Sequence, residues 1–322
     1  MILAVDRGAP NIHSPALWAA FLLAVLVLLA VDLRAARRRT EAQTFKSALG
    51  WSLFWIALSL LFGGYIWTRY GGARGLEFFG GYMLEKSLSV DNLFVFVLIF
   101  RAFAVPQRHQ HRVLFWGVLG ALVLRGTLIG VGIALIHRFS FMVMIFGAVL
   151  IFTAVRLALS SDEAAALSPS DNFIVRLVRD HLPMTGSIDG PSFFTRVQGQ
   201  LLATPLLLAV IAAETADLVF ALDSIPAVFA VTDDPFLVFS SNVCALLGLR
   251  ALYFVVAGAL ARMRYIKPGL SAVLFFVGTK MVVDRWVQLP VGTSLVVIGG
   301  ILAVAVVASL VNKAPPEGAG EH

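Results

Sequence analysis

An all-α, polytopic membrane protein is the fold class this sequence predicts, and three observations predict it. Of the 322 residues, 59% are hydrophobic and only 14% charged, against about 25% charged in soluble domains. Mean hydropathy is +0.88. Apolar runs of about 20 residues, the length that crosses a bilayer as a helix, recur along the whole chain. The dyad alternation of an outer-membrane barrel is absent.

Nine spans are expected, at residues 15–33, 48–67, 77–100, 113–136, 139–158, 204–231, 236–260, 268–288 and 292–312. The first is a poor secretory signal. No basic region precedes it, and Arg34, Arg37, Arg38 and Arg39 follow it. A first span with basic residues on its far side places the N-terminus outside. With nine spans, sixteen Lys and Arg residues then fall on cytoplasmic segments. Five (Arg7, Arg69, Arg74, Arg138 and Arg285) fall outside, and Lys86, Arg125, Arg250 and Lys280 lie within spans. Adding or removing one span would scramble this alternation, so the expected placement is a multi-pass inner (cytoplasmic) membrane protein with its N-terminus outside and its C-terminus in the cytoplasm.

Residues 1–158 make a first membrane half of five spans, and residues 204–312 a second half of four. Between them, 159–203 reads as a cytoplasmic linker that opens polar, carries mixed charge, and has room for a short helix at 171–181. The polar tail 313–322 reads as disordered. The single cysteine, Cys244, allows no intrachain disulfide. All six histidines fall outside the apolar cores, so a metal site at membrane depth would draw on oxygen ligands. The net charge of +6 reflects cytoplasmic loops and does not point to nucleic acid.

Acids lie inside these spans, where insertion of each costs about 2.5–3.5 kcal/mol. Span three holds Glu85, Asp91 and Asn92, and span six holds Glu214, Asp217, Asp223 and Ser224. Each repeats an acid, five residues, an acid and a small polar residue, yet the two spans cross in opposite directions. The following spans also correspond, with Arg125 in Leu124-Arg125-Gly126 and Arg250 in Leu249-Arg250-Ala251. This suggests an inverted repeat of spans 3–5 and 6–8, an architecture whose binding sites lie near the midplane.

On a straight helix Glu85 shares a face with Asn92, and Asp217 with Ser224, whereas Asp91 and Asp223 fall elsewhere. A local break at Gly80-Gly81 or Pro226 would turn both acids of a motif inward, and Pro226 cannot donate to the Leu222 carbonyl. Carboxylates, an amide, a hydroxyl and free carbonyls suit a hard divalent cation such as Mn²⁺, Mg²⁺ or Ca²⁺. The competing structural explanation is neutralisation by internal bases. Lys280 and Asp284, four apart, are expected to pair, and Arg125 and Arg250 to neutralise one acid each. Even with all four in-span bases paired, Lys86 included, about two of the six in-span carboxylates remain, which matches one divalent ion. Acids protonated when empty would release protons on binding metal, so exchange would be proton-coupled. Asn242 is a further candidate ligand or cross-helix bond. Asp233 and Asp234 fit an exposed turn. Gly63-Gly64, Gly117/Gly120 and Gly126/Gly130 fit close helix packing. No Walker loop, dinucleotide-binding glycine pattern or nucleophile elbow is present, so neither an ATP-driven pump nor an enzyme is expected, and no resident cofactor is implied.

The stretch Glu85-Lys86-Ser87-Leu88-Ser89-Val90-Asp91-Asn92-Leu93-Phe94-Val95-Phe96 resembles the signature of the TerC family of integral membrane proteins. So do Asp217 through Ala230, Asp234-Pro235-Phe236, Ser241-Asn242 through Phe254, and His111 through Gly126. The resemblance covers residues 15–312, with no departure at the acidic positions. It implies an inner-membrane protein that exports Mn²⁺ through its intramembrane acids. It also admits a second role, a non-transporting scaffold of a tellurium-resistance or stress-response complex. Manganese comes from the resemblance alone; spacing and ligand type reach only a hard divalent cation. The expected partners are the lipid bilayer and the ion.

Overall fold

A computed structural model describes residues 12–37, 45–139, 141–159, 173–185, 190, 192–197, 199–256, 265–283, 286 and 289–311. Asp284 and the tail 313–322 lie outside the described residues, as do the side chains of Val90, Asp91 and Phe94. The chain is an all-α polytopic membrane protein. Its helices are α1 (Pro15–Arg37), α2 (Phe45–Tyr70), α3 (Gly72–Ala102), α4 (Gln107–Arg138), α5 (Met142–Leu159), α6 (Phe173–His181), α7 (Pro205–Phe229), α8 (Pro235–Leu246), α9 (Leu249–Val256), α10 (Ile266–Val283) and α11 (Val291–Val311). Seven stretches are long and apolar enough to cross a membrane, one of them running through α8 and α9 as Pro235–Val255; α10 supplies a shorter apolar stretch, Pro268–Val283. Helix α3 is 31 residues long.

Each helix starts where the chain offers a reason to start. Pro205 opens α7 and Pro235 opens α8, positions where a missing N–H costs nothing. Asp234 caps α8 by accepting from the Phe236 and Leu237 amides at 2.9 and 3.2 Å. Helix α3 occupies the centre and packs against α2, α7, α8, α9 and α11. Helix α4 lies against α7 and α8, and α5 lies against α10. The α5–α10 crossing is close because both contact points are glycine. A methyl added at Gly147 would sit 2.9 Å from the Gly278 carbonyl oxygen. Helix α1 docks through rings, Trp18 and Phe21 against Phe236 at 5.2 and 5.6 Å. Outward faces expose Leu61, Val123, Phe152, Val296 and Val304, as a surface solvated by lipid requires.

Two expectations about helix breaks are corrected. Helix α3 runs unbroken through Gly80-Gly81. These glycines make room instead of bending: a methyl at Gly80 would lie 2.7 Å from Val231, and one at Gly81 2.6 Å from Ser241. Helix α7 likewise continues through Pro226 to Phe229. The break falls elsewhere, between α8 and α9, where Gly248 takes φ +81° with its α-carbon against the Trp55 side chain.

The connector between the halves holds the short helix α6, as expected, together with an unexpected hairpin. Strands β1 (Phe194–Val197) and β2 (Gln200–Ala203) pair antiparallel with Phe194 opposite Ala203, around Gly199 at φ +84°. Thr204 ties the hairpin to the start of α7 by donating to the Ser192 carbonyl. Val175 of α6 is buried against the helical core, while Phe173, Leu177, Phe194 and Leu201 stand exposed.

Candidate functional site

The polar centre of the molecule lies where α3, α4 and α7 meet. Unbroken helices decide which side chains reach it. Residues seven apart return to within about 20° of one another, whereas residues six apart diverge by about 120°. Glu85 and Asn92 accordingly share a buried face of α3, and Asp217 and Ser224 share one of α7. Helix α4 delivers Arg125 between them, 1% exposed.

Arg125 holds the cluster together. Its Nε and Nη2 donate to the two Asp217 carboxylate oxygens at 3.1 and 2.7 Å, the bidentate fork that guanidinium geometry favours. Its Nη1 donates to Glu85 Oε1 and, at 3.3 Å, to Ser224 Oγ. Glu85 is fully buried, and its second oxygen, Oε2, has no hydrogen-bond partner among the described residues. Two carboxylates thus share one guanidinium. A cleft lined by Asn92, Val95, Phe96 and Ile99 of α3 and by Ala213, Ala216 and Phe220 of α7 opens onto Asp217.

The remaining expected ligands are placed differently. Glu214 lies one turn before Asp217, and its carboxylate fills the space a side chain at Gly120 would occupy. It makes no hydrogen bond or ion pair with another described residue. Gly120 therefore houses a carboxylate, whereas Gly63 accommodates Phe78 and Phe79, and Gly117 accommodates Phe96. Asp223 turns away and accepts from Thr153 of α5 at 2.9 Å. Asp91 belongs to α3, but its side chain lies outside the described residues. Among the described residues no three His, Cys, Asp or Glu converge as a metal-binding group. The expected ligands do not form one closed shell, because the breaks that would have gathered them are absent.

One in-span base departs from expectation. Arg250 does not reach these acids. It donates to the Asp32 carboxylate and, at 3.3 Å, to the Asp32 carbonyl on α1. Asp32, near the end of the first span, was missed; an acid two residues before the basic flank that opens at Arg34 gave little signal. Lys86 donates to the Ala245 carbonyl at 3.1 Å and Lys280 to the Ala230 carbonyl at 2.9 Å. Both lysines thus serve helix C-termini, of α8 and α7. The partner expected for Lys280, Asp284, lies outside the described residues.

Asn242 is 1% exposed, and neither of its amide atoms has a hydrogen-bond partner among the described residues. It is bracketed by Ser241, against Gly81, and Ala245, bonded to Lys86. That places it near the level of Tyr82 and Met83 on the facing helix, within about a turn of Glu85.

A further cluster missed in the sequence gathers at the end of the molecule formed by the starts of α3 and α8. Arg74 bonds Asp234 at 2.8 Å, and Thr232 donates to Glu77 at 2.8 Å. Asp234 is a helix cap and ion-pair partner, while Asp233 is exposed as expected of a turn.

The family described as "Integral membrane protein TerC family" matches residues 70–316, which include the whole of this cluster. The chain belongs to the TerC family. This TerC protein is 49% identical to "Uncharacterized membrane protein STKORF319" of Myxococcus xanthus over 304 residues, 94% of this chain and 95% of the relative. It is 45% identical to "Putative membrane-bound redox modulator Alx" of Escherichia coli (strain K12) over 303 residues, 91% and 94% of the two chains. A membrane protein of Rickettsia bellii is 37% identical over 296 residues, 92% and 97% of the two chains. No solved structure matches the chain.

Proposed function

We propose that this TerC protein is a secondary transporter that moves a hard divalent cation, Mn²⁺ foremost, out of the cytoplasm in exchange for protons, and that it is not an enzyme. The observation that carries this reading is the buried excess of acid: Glu85 and Asp217 share the single guanidinium of Arg125, and one Glu85 oxygen is fully buried without a partner among the described residues. An unpartnered carboxylate oxygen in an apolar interior is costly, and intramembrane ionisable groups are retained where ions pass. Asp217, Asn92 and the cleft beside them offer oxygen ligands and a way in. Family membership supports manganese as the cargo.

The reading carries with it nine spans, an inner-membrane location and an outside N-terminus. It is supported by the way helix ends group. The starts of α3 and α8 meet at one end through Arg74 and Asp234, and the last turns of α1 meet α9 at the other through Asp32 and Arg250. Helices α3 and α7 run antiparallel, with Gly80 beside Val231 and the cleft joining Phe96 to Ala213. That is the crossing an inverted repeat needs.

The test is Mn²⁺ flux in proteoliposomes under an imposed proton gradient. Asp217→Asn is expected to abolish flux while the protein inserts normally. Full flux in that variant overturns the reading.

A second reading, a membrane scaffold, draws on the exposed Phe173, Leu177, Phe194 and Leu201 of the connector, an apolar surface suited to a partner. The name of the Escherichia coli relative speaks of redox modulation; the lone, buried Cys244 of this chain leaves no dithiol to cycle. Deleting β1 and β2 separates the readings: a transporter keeps Asp217-dependent flux, whereas a scaffold loses partner capture and shows no flux to keep.

A further inference from the structure

Arg125 raises a question that the cation reading leaves open. The oxygens that would bind the ion are already held by a cation of the protein itself. The guanidinium grips both Asp217 oxygens and one Glu85 oxygen, so a metal ion cannot take those same lone pairs while the fork is in place. By charge, a divalent ion alone brings the two carboxylates to neutrality, whereas the guanidinium alone leaves them one charge short.

A place for the displaced guanidinium exists. Glu214 stands three residues before Asp217 on α7, about 4.5 Å along the helix axis, in the notch at Gly120 and without a hydrogen-bond or ion-pair partner among the described residues. Gly120 is itself five residues before Arg125 on α4, about 7.5 Å along the axis and about 140° around it. Side chains on a helix lean toward its N-terminus, so the long arginine side chain at 125 leans back toward that level and swings around the helix to meet Glu214. The fully buried Glu85 Oε2, unpartnered among the described residues, marks where a cation gains a ligand that Arg125 does not use.

We infer that Arg125 is the built-in occupant of the cation site: it holds Glu85 and Asp217 when no ion is bound and withdraws to Glu214 when a divalent ion enters. The inference rests on the cation-transport reading. It assigns Arg125 a role as exchanging counter-ion and Glu214 a role as its alternative seat, so neither is a fixed structural pair nor a direct metal ligand. Withdrawal onto Glu214 keeps the guanidinium paired in both states, so that loading does not strand it as an uncompensated buried charge.

The test is Mn²⁺ titration of the purified full-length protein in detergent, with thermal unfolding of every variant recorded alongside. Arg125→Gln is expected to bind Mn²⁺ at least about tenfold more tightly than wild type, since a competitor held by a bidentate buried pair is gone. Glu214→Gln is expected to bind more weakly in the wild-type background and to have no effect in the Arg125→Gln background. If Arg125→Gln does not fold, Arg125→Lys decides: losing the fork weakens the competitor, so tighter binding supports exchange, and equal or weaker binding overturns it. Weaker binding in a folded Arg125→Gln overturns it too, because Arg125 then only positions the acids. Asp217→Asn separates this failure from a deeper one. Binding lost in Asp217→Asn leaves the cation reading intact whatever Arg125 does, whereas binding unchanged there removes the cation site itself.

Discussion

Glu214 of α7 projects its carboxylate into the space that a side chain at Gly120 of α4 would fill. The fit is one of absence, since a glycine supplies the room and an acid uses it. Glycine in a helix interior costs about 0.5–1 kcal/mol relative to alanine, so its presence here has a local purpose. Glu214 is also the end of a flexible side chain, and it can move where backbone cannot. Gly120→Ala is therefore expected to fold and insert but to displace the carboxylate, reducing Mn²⁺ flux several-fold. Because the two residues act through one contact, Gly120→Ala and Glu214→Gln should be non-additive. A double-mutant cycle on flux checks this; simple additivity would separate the residues.

Asp223 provides a contrast within the same helix. It is six residues from Asp217, turned toward Thr153 of α5, outside the reach of Arg125. Asp223→Asn is expected to leave Mn²⁺ affinity within about threefold of wild type, whereas Asp217→Asn loses binding. Titration of the two proteins side by side decides it, and equal losses would show that both acids meet the ion in another conformation. The asparagine keeps an acceptor for Thr153, so stability should change by less than about 1 kcal/mol.

The sequence was legible where chemistry repeats and silent where partners are distant. Apolar length revealed the helices, and seven-residue spacing placed Glu85 with Asn92 and Asp217 with Ser224 on the buried faces they occupy. Spacing alone could not tell a bending glycine from a packing one. Gly80-Gly81 and Gly248 look alike on the page, yet only Gly248 ends a helix, because Val231 and Ser241 press on the former pair. Nor could it pair charges across helices. Arg125 and Arg250 occupy matching positions, but Asp32, 218 residues from Arg250, claims the second. Lys86 and Lys280 each donate to a carbonyl at a helix end, a bond that leaves no mark in side-chain patterns.

The Asp32–Arg250 pair ties α1 to α9, with both side chains largely buried. Breaking a buried pair from one side leaves an uncompensated charge and costs about 3–5 kcal/mol. Arg250→Gln and Asp32→Asn are each expected to lower the thermal midpoint in detergent. The double variant should recover part of the loss, with a coupling of about 1–3 kcal/mol. Unfolding of the three variants and wild type closes the cycle, and zero coupling would mean the contact holds nothing.

Gly248 offers the sharpest test of how α8 is joined to α9. Its φ of +81° disfavours any residue with a β-carbon by about 1–3 kcal/mol. A methyl there would also lie 2.6 Å from the Trp55 Cβ, and Trp55 of α2 is buried in the core. Neither cost can be relieved without moving α9, which carries Arg250. Gly248→Ala is expected to destabilise the protein and to loosen the Asp32 contact together. Trp55→Gly in the same background removes the overlap, which an alanine would not because it keeps the Cβ that lies closest, but keeps the backbone strain, at the expense of a cavity worth about 3–5 kcal/mol by itself. If steric overlap dominates, the double variant will be more stable than the sum of the singles; if backbone strain dominates, the two losses will add. Thermal unfolding of the four proteins, with Mn²⁺ flux measured on those that fold, distinguishes the two causes and shows whether the bend matters to transport.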